Sequence, residues 1–387
     1  MQTKYFYTYY KHMLHSAAIL TFGVRNNHFM MTETPNNIQL KGMTLEKISD
    51  YLTEIGEPAY RAKQVFDWMY NRNAASYADM LNLPKALRDT LAEQTILTTL
   101  NLITVQESPG TKTKKLLLET SLGNKIEAVI IPEEKRVTLC VSTQVGCPLD
   151  CQFCATGFMG YKRNLTPGEI IDQYLIANRV YEKPITNIVF MGMGEPLLNY
   201  QATLDVLKIF AGELSSTGVS LKKITVSTAG IPEKIRALSD SGLKIKLALS
   251  LHSPFEDIRT QIMPINQKYP LSDCLDAVRY HAKMTGTRIT FEYVMLNGVN
   301  DRDADIKGLK RICSSVPSKL NLIPFNSLEH IAPAGYAAEL RPTPRERIEV
   351  FAQKLRDANI TVMIRNTQGD DIAAACGQLA ITGTTTS

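Results

Sequence analysis

The sequence lacks a disulfide framework, a membrane-spanning run, a strong net charge and any internal repeat. Seven cysteines in 387 residues, three of them crowded between Cys147 and Cys154, do not form the evenly spread pairs of a stapled secreted domain. Such usage points to metal and redox chemistry in a reducing cytoplasmic setting. The apolar run from Ala17 to Val24, with His15 just upstream, is too short to cross a bilayer, and no small-residue cleavage site follows it. Neither a membrane nor a secretory route is therefore read. Charge is nearly balanced, 43 basic against 38 acidic residues for a net +5, which permits a nucleic-acid partner without requiring one. The absence of repeats and low-complexity tracts excludes solenoids, propellers and disordered linkers.

What is present centres on Cys147-Pro-Leu-Asp-Cys151-Gln-Phe-Cys154. C-x3-C-x2-C spacing puts three thiolates on one small face of a loop. A structural zinc site closes with four protein ligands, whereas an iron–sulfur cube held by three cysteines keeps one iron open to chelate a cofactor. The stretch is thus a signature of radical chemistry with S-adenosylmethionine (SAM). A zinc loop is the alternative; it would recruit Cys140 as its fourth ligand, since a second C-x2-C pair is missing. Cys274 and Cys313 fall in helix-like apolar patterns and read as core.

Hydrophobic residues at 44% and charged residues at 21% describe a globular chain long enough for two or three domains. Residues 1–31 read as an extension ahead of a start at Met30 or Met31. Residues 32–110 read as a helical RNA-binding domain, with Leu45, Ile48 and Leu52, then Ala62, Val65 and Met69, at helical spacing. Tyr60, Arg61, Lys63 and Arg72 fall on its candidate outer faces. Residues 111–136 read as a β-hairpin linker turning at Gly123-Asn124. From 137 to 345 strands and helices alternate, with strands expected at Asn187–Met191, Ile224–Ser227, Ile245–Leu251, Ile289–Met295 and Leu320–Pro324. Residues 346–387 supply a last helix, a strand and a tail. Alternation of this kind predicts an α/β fold with a parallel sheet, open or closed as a barrel.

Four of these strands end in small or polar groups. They run into Gly192-Met-Gly194-Glu195, Ser227-Thr-Ala-Gly, Ser250-Leu251-His252 and Pro324-Phe-Asn326. Barrel enzymes place their active sites at such ends. Gly192 and Gly194 let backbone approach a ligand, and Glu195 suits an amino group.

Together these motifs resemble radical SAM enzymes. Val141-Ser-Thr-Gln-Val-Gly-Cys147, Phe153-Cys-Ala-Thr, Arg163-Asn-Leu, Gly192-Met-Gly-Glu-Pro-Leu-Leu-Asn199 and Asp371-Ile-Ala-Ala-Ala-Cys376-Gly-Gln-Leu are similar to the RNA adenosine methyltransferases of the RlmN/Cfr family. The resemblance runs from about Leu45 to the C-terminus. It implies a partial (β/α) barrel with a small N-terminal helical domain and a β-hairpin extension. It implies a [4Fe-4S] cluster on Cys147, Cys151 and Cys154. Gly194, Glu195, Ser227, Ser250, Leu251, His252 and Asn326 would contact SAM, of which two molecules are used per turnover. Cys376 would be the methylated cysteine, Cys140 its disulfide partner and Glu127 the proton acceptor; by hairpin pattern alone Glu127 reads as solvent-facing.

The implied chemistry methylates the Cys376 thiolate, turns that methyl into a methylene radical that adds to adenine, and resolves the adduct by Cys140 attack, leaving a Cys140–Cys376 disulfide. Implied substrates are an adenosine of the 23S rRNA peptidyl transferase centre and the tRNA adenosine 3′ of the anticodon, with a flavodoxin-like electron donor and a monomeric enzyme. Carbon-2 of adenine is favoured over the carbon-8 branch by the Gly-Met-Gly-Glu-Pro-Leu-Leu-Asn run and the tail. The basic pairs Lys112–Lys115, Lys135–Arg136, Lys162–Arg163 and Lys222–Lys223 are candidate phosphate contacts. A non-catalytic RNA-binding protein and a radical enzyme acting on a small molecule are the alternatives from other classes. Two positions depart from the family pattern, Gln368 where arginine is usual and Asp150 where glycine is common; they touch the placement of the tail and of the cluster loop.

Overall fold

The computed structural model describes residues 38–212, 214 and 218–381, and the extension read at 1–31 lies outside them. All the described residues fall in one compact unit, Asn36–Ser387. Among them no helix is long and apolar enough to cross a membrane.

A single ten-stranded sheet organises the chain. Its strands are β1 (Leu100–Glu107), β2 (Lys114–Thr120), β3 (Lys125–Glu133), β4 (Arg136–Cys140), β5 (Asn187–Phe190), β6 (Ile224–Thr228), β7 (Lys246–Ser250), β8 (Ile289–Met295), β9 (Ser318–Pro324) and β10 (Val362–Ile364). From β4 to β10 neighbours run parallel in chain order, and β1 to β4 are antiparallel. The seven parallel strands form the partial barrel, and the expected α/β class holds. Residues 111–136 are not a linker, because β2 and β3 continue the barrel sheet through β4. The strand at Leu100–Glu107 was not expected: Leu100, Leu102, Ile103 and Val105 are strand formers, but a register shift between Leu102 and Thr104 interrupts their alternation and only Leu100 of the eight residues is buried.

Helices α1 (Leu45–Glu54), α2 (Arg61–Phe66) and α3 (Lys85–Gln94) build the N-terminal part as the 3.6-residue spacing predicts. Thr44 caps α1 through the Lys47 N–H, which it accepts at 3.4 Å. A buried ion pair at 2.7 Å, Lys41 to Asp172, joins this part to α4 (Pro167–Val180), and Asp172 also accepts from the Thr99 amide and hydroxyl. Helix α4 starts with Pro167 and a Thr166/Glu169 capping box. Five of the candidate phosphate contacts already face carboxylates: Lys112 and Lys114 approach Glu107 at 3.9 and 3.4 Å, Arg136 holds Glu133, and Lys115 and Arg163 are the most firmly engaged. Lys115 is half-buried and pairs with Glu127 at 3.1 Å, and Arg163 holds Glu169 with two nitrogens at 2.8 Å each. On the helical domain, Arg72 pairs with Asp67 and stacks on Trp68, and Arg61 pairs with Glu57.

Candidate active site

The cysteine loop leaves β4 and is fixed by backbone bonds at several points. Cys147 N–H donates to Gly160 O (3.0 Å), Gln152 N–H to Ile262 O (3.0 Å) and Ala155 N–H to Gly377 O (2.7 Å). Asp150 has φ +50°, which explains why glycine suits this position and why aspartate, tolerant of the left-handed region, still serves. Cys147, Cys151 and Cys154 line one cavity of about 140 Å³. Burial, and at Cys147 and Cys151 the neighbouring thiols, push their pKa values up, to about 12 for Cys147. Such thiols ionise only against bound positive charge. Among the described residues, no three His, Cys, Asp or Glu side chains converge on a point that would hold one metal ion. The thiols stand around a space, and this donor set fits a multi-iron group. Cys140, the fourth ligand of the zinc reading, lines a different cavity.

The ends of the barrel strands complete the first cavity. Gly194 has φ +93°, and a Cβ there would sit 2.5 Å from the Gln144 side chain. Glu195 is buried; its two oxygens accept from Leu197 N–H (2.9 Å) and Ala229 N–H (2.7 Å), and burial raises its pKa to about 7. Ser227 and Ser250 line the same space. His252, at φ +54°, accepts the Val294 N–H on Nδ1 at 3.0 Å and packs edge-on against Phe153. Burial lowers its pKa to about 3, so the ring is neutral and its proton sits on Nε2. Leu251 departs from the expectation of a cofactor contact: alternation turns it away from the cavity, and it is fully buried in the core.

Arg259 was not singled out by sequence, because a lone arginine in an amphipathic helix reads as solvated surface. It lies on α5 (Glu256–Ile262), is 0% exposed, and donates to the carbonyls of Ala229, Ser250 (3.1 Å) and Leu251 (3.2 Å) and to Asn266 Oδ1. It ties the ends of β6 and β7 together behind the cavity.

A second cavity, about 360 Å³, forms a seam lined by β3, β4 and β5, by β9 and β10, and by the C-terminal tail. Cys140 and Cys376 both line it, and Cys376 lines the first cavity as well. Burial raises the pKa of Cys140 to about 12 and that of Cys376 to about 11; the Arg365 guanidinium opposes both shifts. Asn326 lines both cavities and donates its amide to Cys376 O at 3.0 Å. The tail is further held by Gln378, whose amide donates to Asp370 (2.7 Å) and Ser327 O (3.1 Å) while its oxygen accepts from Ala375 N–H. Gln368 takes no part in these bonds, so the departure there leaves the hold on Cys376 in place.

Glu127 is buried, contrary to the pattern of its hairpin. Its oxygens meet Lys115 Nζ at 3.1 Å and the Ala380 N–H at 3.1 Å, beneath the C-terminal tail, and it does not line either cavity. Hairpin alternation missed this because the tail covers that face of β3. Burial raises its pKa, with Lys115 opposing.

A partial barrel whose strand ends meet a three-cysteine loop defines a radical SAM enzyme, and residues 141–307 match the family model of the Radical SAM superfamily. Residues 38–97 match that of the ribosomal RNA large subunit methyltransferase N-terminal domain. The chain is 44% identical to a dual-specificity RNA methyltransferase RlmN from Anaeromyxobacter dehalogenans, over 91% of this chain and 93% of that one. It is 40% identical to a probable dual-specificity RNA methyltransferase RlmN from Salinibacter ruber, over 90% and 95%. The crystal structure of a radical SAM methyltransferase from Sphaerobacter thermophilus superposes with a TM-score of 0.82 at 41% identity, covering 88% of this chain and 99% of that one. The chain belongs to the RlmN family of SAM-dependent RNA methyltransferases.

Proposed function

We propose that this protein methylates carbon-2 of adenosine in 23S rRNA and in tRNA 3′ of the anticodon, through an S-methylated Cys376. The observation that carries the reading is the position of Cys376 at the boundary of two cavities, one lined by the loop cysteines and one shared with Cys140. A sulfur there can take carbon from one side and deliver it to a base on the other.

Cys147, Cys151 and Cys154 hold the cluster, and Gly194, Glu195, Ser227, Ser250, His252 and Asn326 surround SAM. When bound, the pair supplies the deoxyadenosyl radical. Ionised Glu195 accepts from the cofactor's ammonium, and neutral His252 offers a donor on Nε2. Cys376 loses its proton to solvent and, as a thiolate, would take the methyl group of a first SAM, whose S–CH3 bond breaks to release S-adenosylhomocysteine. Its methyl, stripped of one hydrogen atom, bonds to carbon-2 of the adenine. Glu127 is the proton acceptor of this reading; it lies beneath the tail outside both cavities, so taking the ring proton requires the tail to lift from it at Ala380, and its raised pKa then suits it as a base. The Cys140 thiolate attacks the Cys376 sulfur; the sulfur–carbon bond breaks, the released carbon takes a proton from solvent to become the methyl group, the odd electron would pass back to the cluster, and the Cys140–Cys376 disulfide is left for an external thiol to reduce. A cytoplasmic monomer served by a flavodoxin-like reductant completes the reading.

The test is anaerobic turnover of unmodified 23S rRNA and tRNA transcripts, followed by mass spectrometry of the nucleosides. 2-Methyladenosine in both is expected. 8-Methyladenosine would replace the regiochemistry, and cofactor cleavage without methylated RNA would refute the substrate.

A further inference from the structure

Side chains on one parity of each barrel strand face its interior. Toward the C-terminal ends these are Cys140, Ser227, Ser250 and Ile323, which line the cavities already described. Followed down the same strands by twos, the row reaches Arg136 on β4, Lys246 on β7, Arg288 just before β8 and Lys319 on β9. The lower mouth of the barrel is therefore rimmed by four cations.

Their proximity is visible in two ways. Arg288 donates to Ser318 O beside Lys319 and to Thr361 Oγ1 at 2.9 Å. Burial, together with the charges of Lys246, Arg288 and Arg136, holds the Lys319 pKa below its usual value, and Glu292 in the barrel interior opposes the shift. Arg136 shares Glu133. Among the described residues Lys246, Arg288 and Lys319 have no carboxylate within ion-pair distance.

The N-terminal face of a barrel ordinarily serves stability. Like charges gathered there oppose stability, so the rim has a use that outweighs the repulsion. An anion relieves it. The seam cavity that holds Cys140 and Cys376 extends down to Glu133 and Arg136, so the substrate space and the cationic rim are continuous. Lys222, Lys223 and Lys244, just ahead of β6 and β7, are exposed and add to the positive charge at the strand starts.

We propose that this lower rim is a docking surface for the phosphodiester backbone of the RNA substrate, engaging phosphates that flank the nucleotide inserted through the seam. This rests on the RNA methyltransferase reading. Arg136 meets the strand where it leaves the seam, and Lys246, Arg288 and Lys319 follow it across the barrel mouth.

The test is binding of the cluster-loaded protein to unmodified tRNA and to a 23S rRNA fragment across a salt series. The Lys246→Gln/Lys319→Gln double variant should bind about ten-fold more weakly at low salt, with the difference closing as salt rises. Its slope of log Kd against log salt should be shallower by about 0.7 for each phosphate that the variant no longer engages. Its cluster absorbance and SAM affinity should match wild type. The Lys246→Arg/Lys319→Arg variant keeps the charges and should bind RNA as wild type does, which separates the charge from any packing defect. Affinity and slope unchanged in the Gln variant would overturn the dock. RNA binding retained, with slower reduction by an acidic flavoprotein, would overturn it in favour of a protein partner. Wild-type protein that binds neither RNA would refute the RNA methyltransferase reading itself.

Discussion

Removing the Arg259 guanidinium should damage the protein more than any change among its surface arginines. In Arg259→Met the carbonyls of Ala229 and Ser250 and the Asn266 amide oxygen lose their donor while staying inside the fold, whereas Leu251 O keeps the Ser253 N–H. An unpaired buried acceptor costs about 1–3 kcal/mol, so three set an upper range of roughly 3–9 kcal/mol. Relief from burying a guanidinium offsets part of this, since replacing a buried charge with an apolar side chain regains several kcal/mol of desolvation. The net expectation is a loss of about 3–5 kcal/mol. Urea unfolding of the anaerobic, cluster-loaded protein measures it as a shift in midpoint at constant slope. Ala229 also donates to Glu195, and Ser250 lines the cofactor cavity, so SAM affinity should fall together with stability. Arg259→Lys keeps the charge but not the fork and should fall between the two. A loss below about 1 kcal/mol, with SAM affinity intact, would refute the view that this side chain holds the strand ends.

Cys140→Ala should accumulate protein covalently joined to RNA, seen as a shifted band resistant to denaturation, whereas Cys376→Ala should give neither adduct nor product; wild-type product from the latter would sink the mechanism. The Glu195 carboxyl, at about 7 when folded against 4.5 as its ordinary value, favours the protonated folded form. Its contribution to stability is therefore full below pH 4.5 and lost as pH rises through 7, an amplitude of about 3 kcal/mol. SAM affinity should move the other way, rising to a plateau above pH 7 as the carboxylate forms, and Glu195→Gln should flatten both profiles in equilibrium titrations. Gly194→Ala places a Cβ 2.5 Å from Gln144 at φ +93°. It should lower stability by about 1–3 kcal/mol and weaken SAM binding at least ten-fold by calorimetry.

Much of the fold was legible because its parallel strands are apolar runs separated by helices with ordinary stop signals, as in Pro167 opening α4 and Gly286 closing the helix Leu271–Thr285. The cysteine loop and the glycines after β5 were legible because backbone geometry demands those residue types. Burial by distant segments was not. Glu127 sits in an alternating hairpin strand, and only the tail from Ala373 to Ala380 makes it interior. Arg259 and Asp172 belong to helices whose neighbours in sequence do not reveal a carbonyl or an amide waiting across the fold. The cations of the lower rim escaped for the opposite reason: Arg136, Lys246, Arg288 and Lys319 are scattered over nearly two hundred positions and meet only once the strands are laid side by side.

Cys140 stands in register with Val129 on one side and Val189 on the other, at the strand where the antiparallel and parallel halves of the sheet join. A thiol built into the middle of a sheet is a fixed post. Cys376, by contrast, hangs on a loop tethered by the amides of Asn326 and Gln378. In the proposed mechanism any change in the spacing of the two sulfurs therefore falls to the tail, because the sheet holds Cys140 in place.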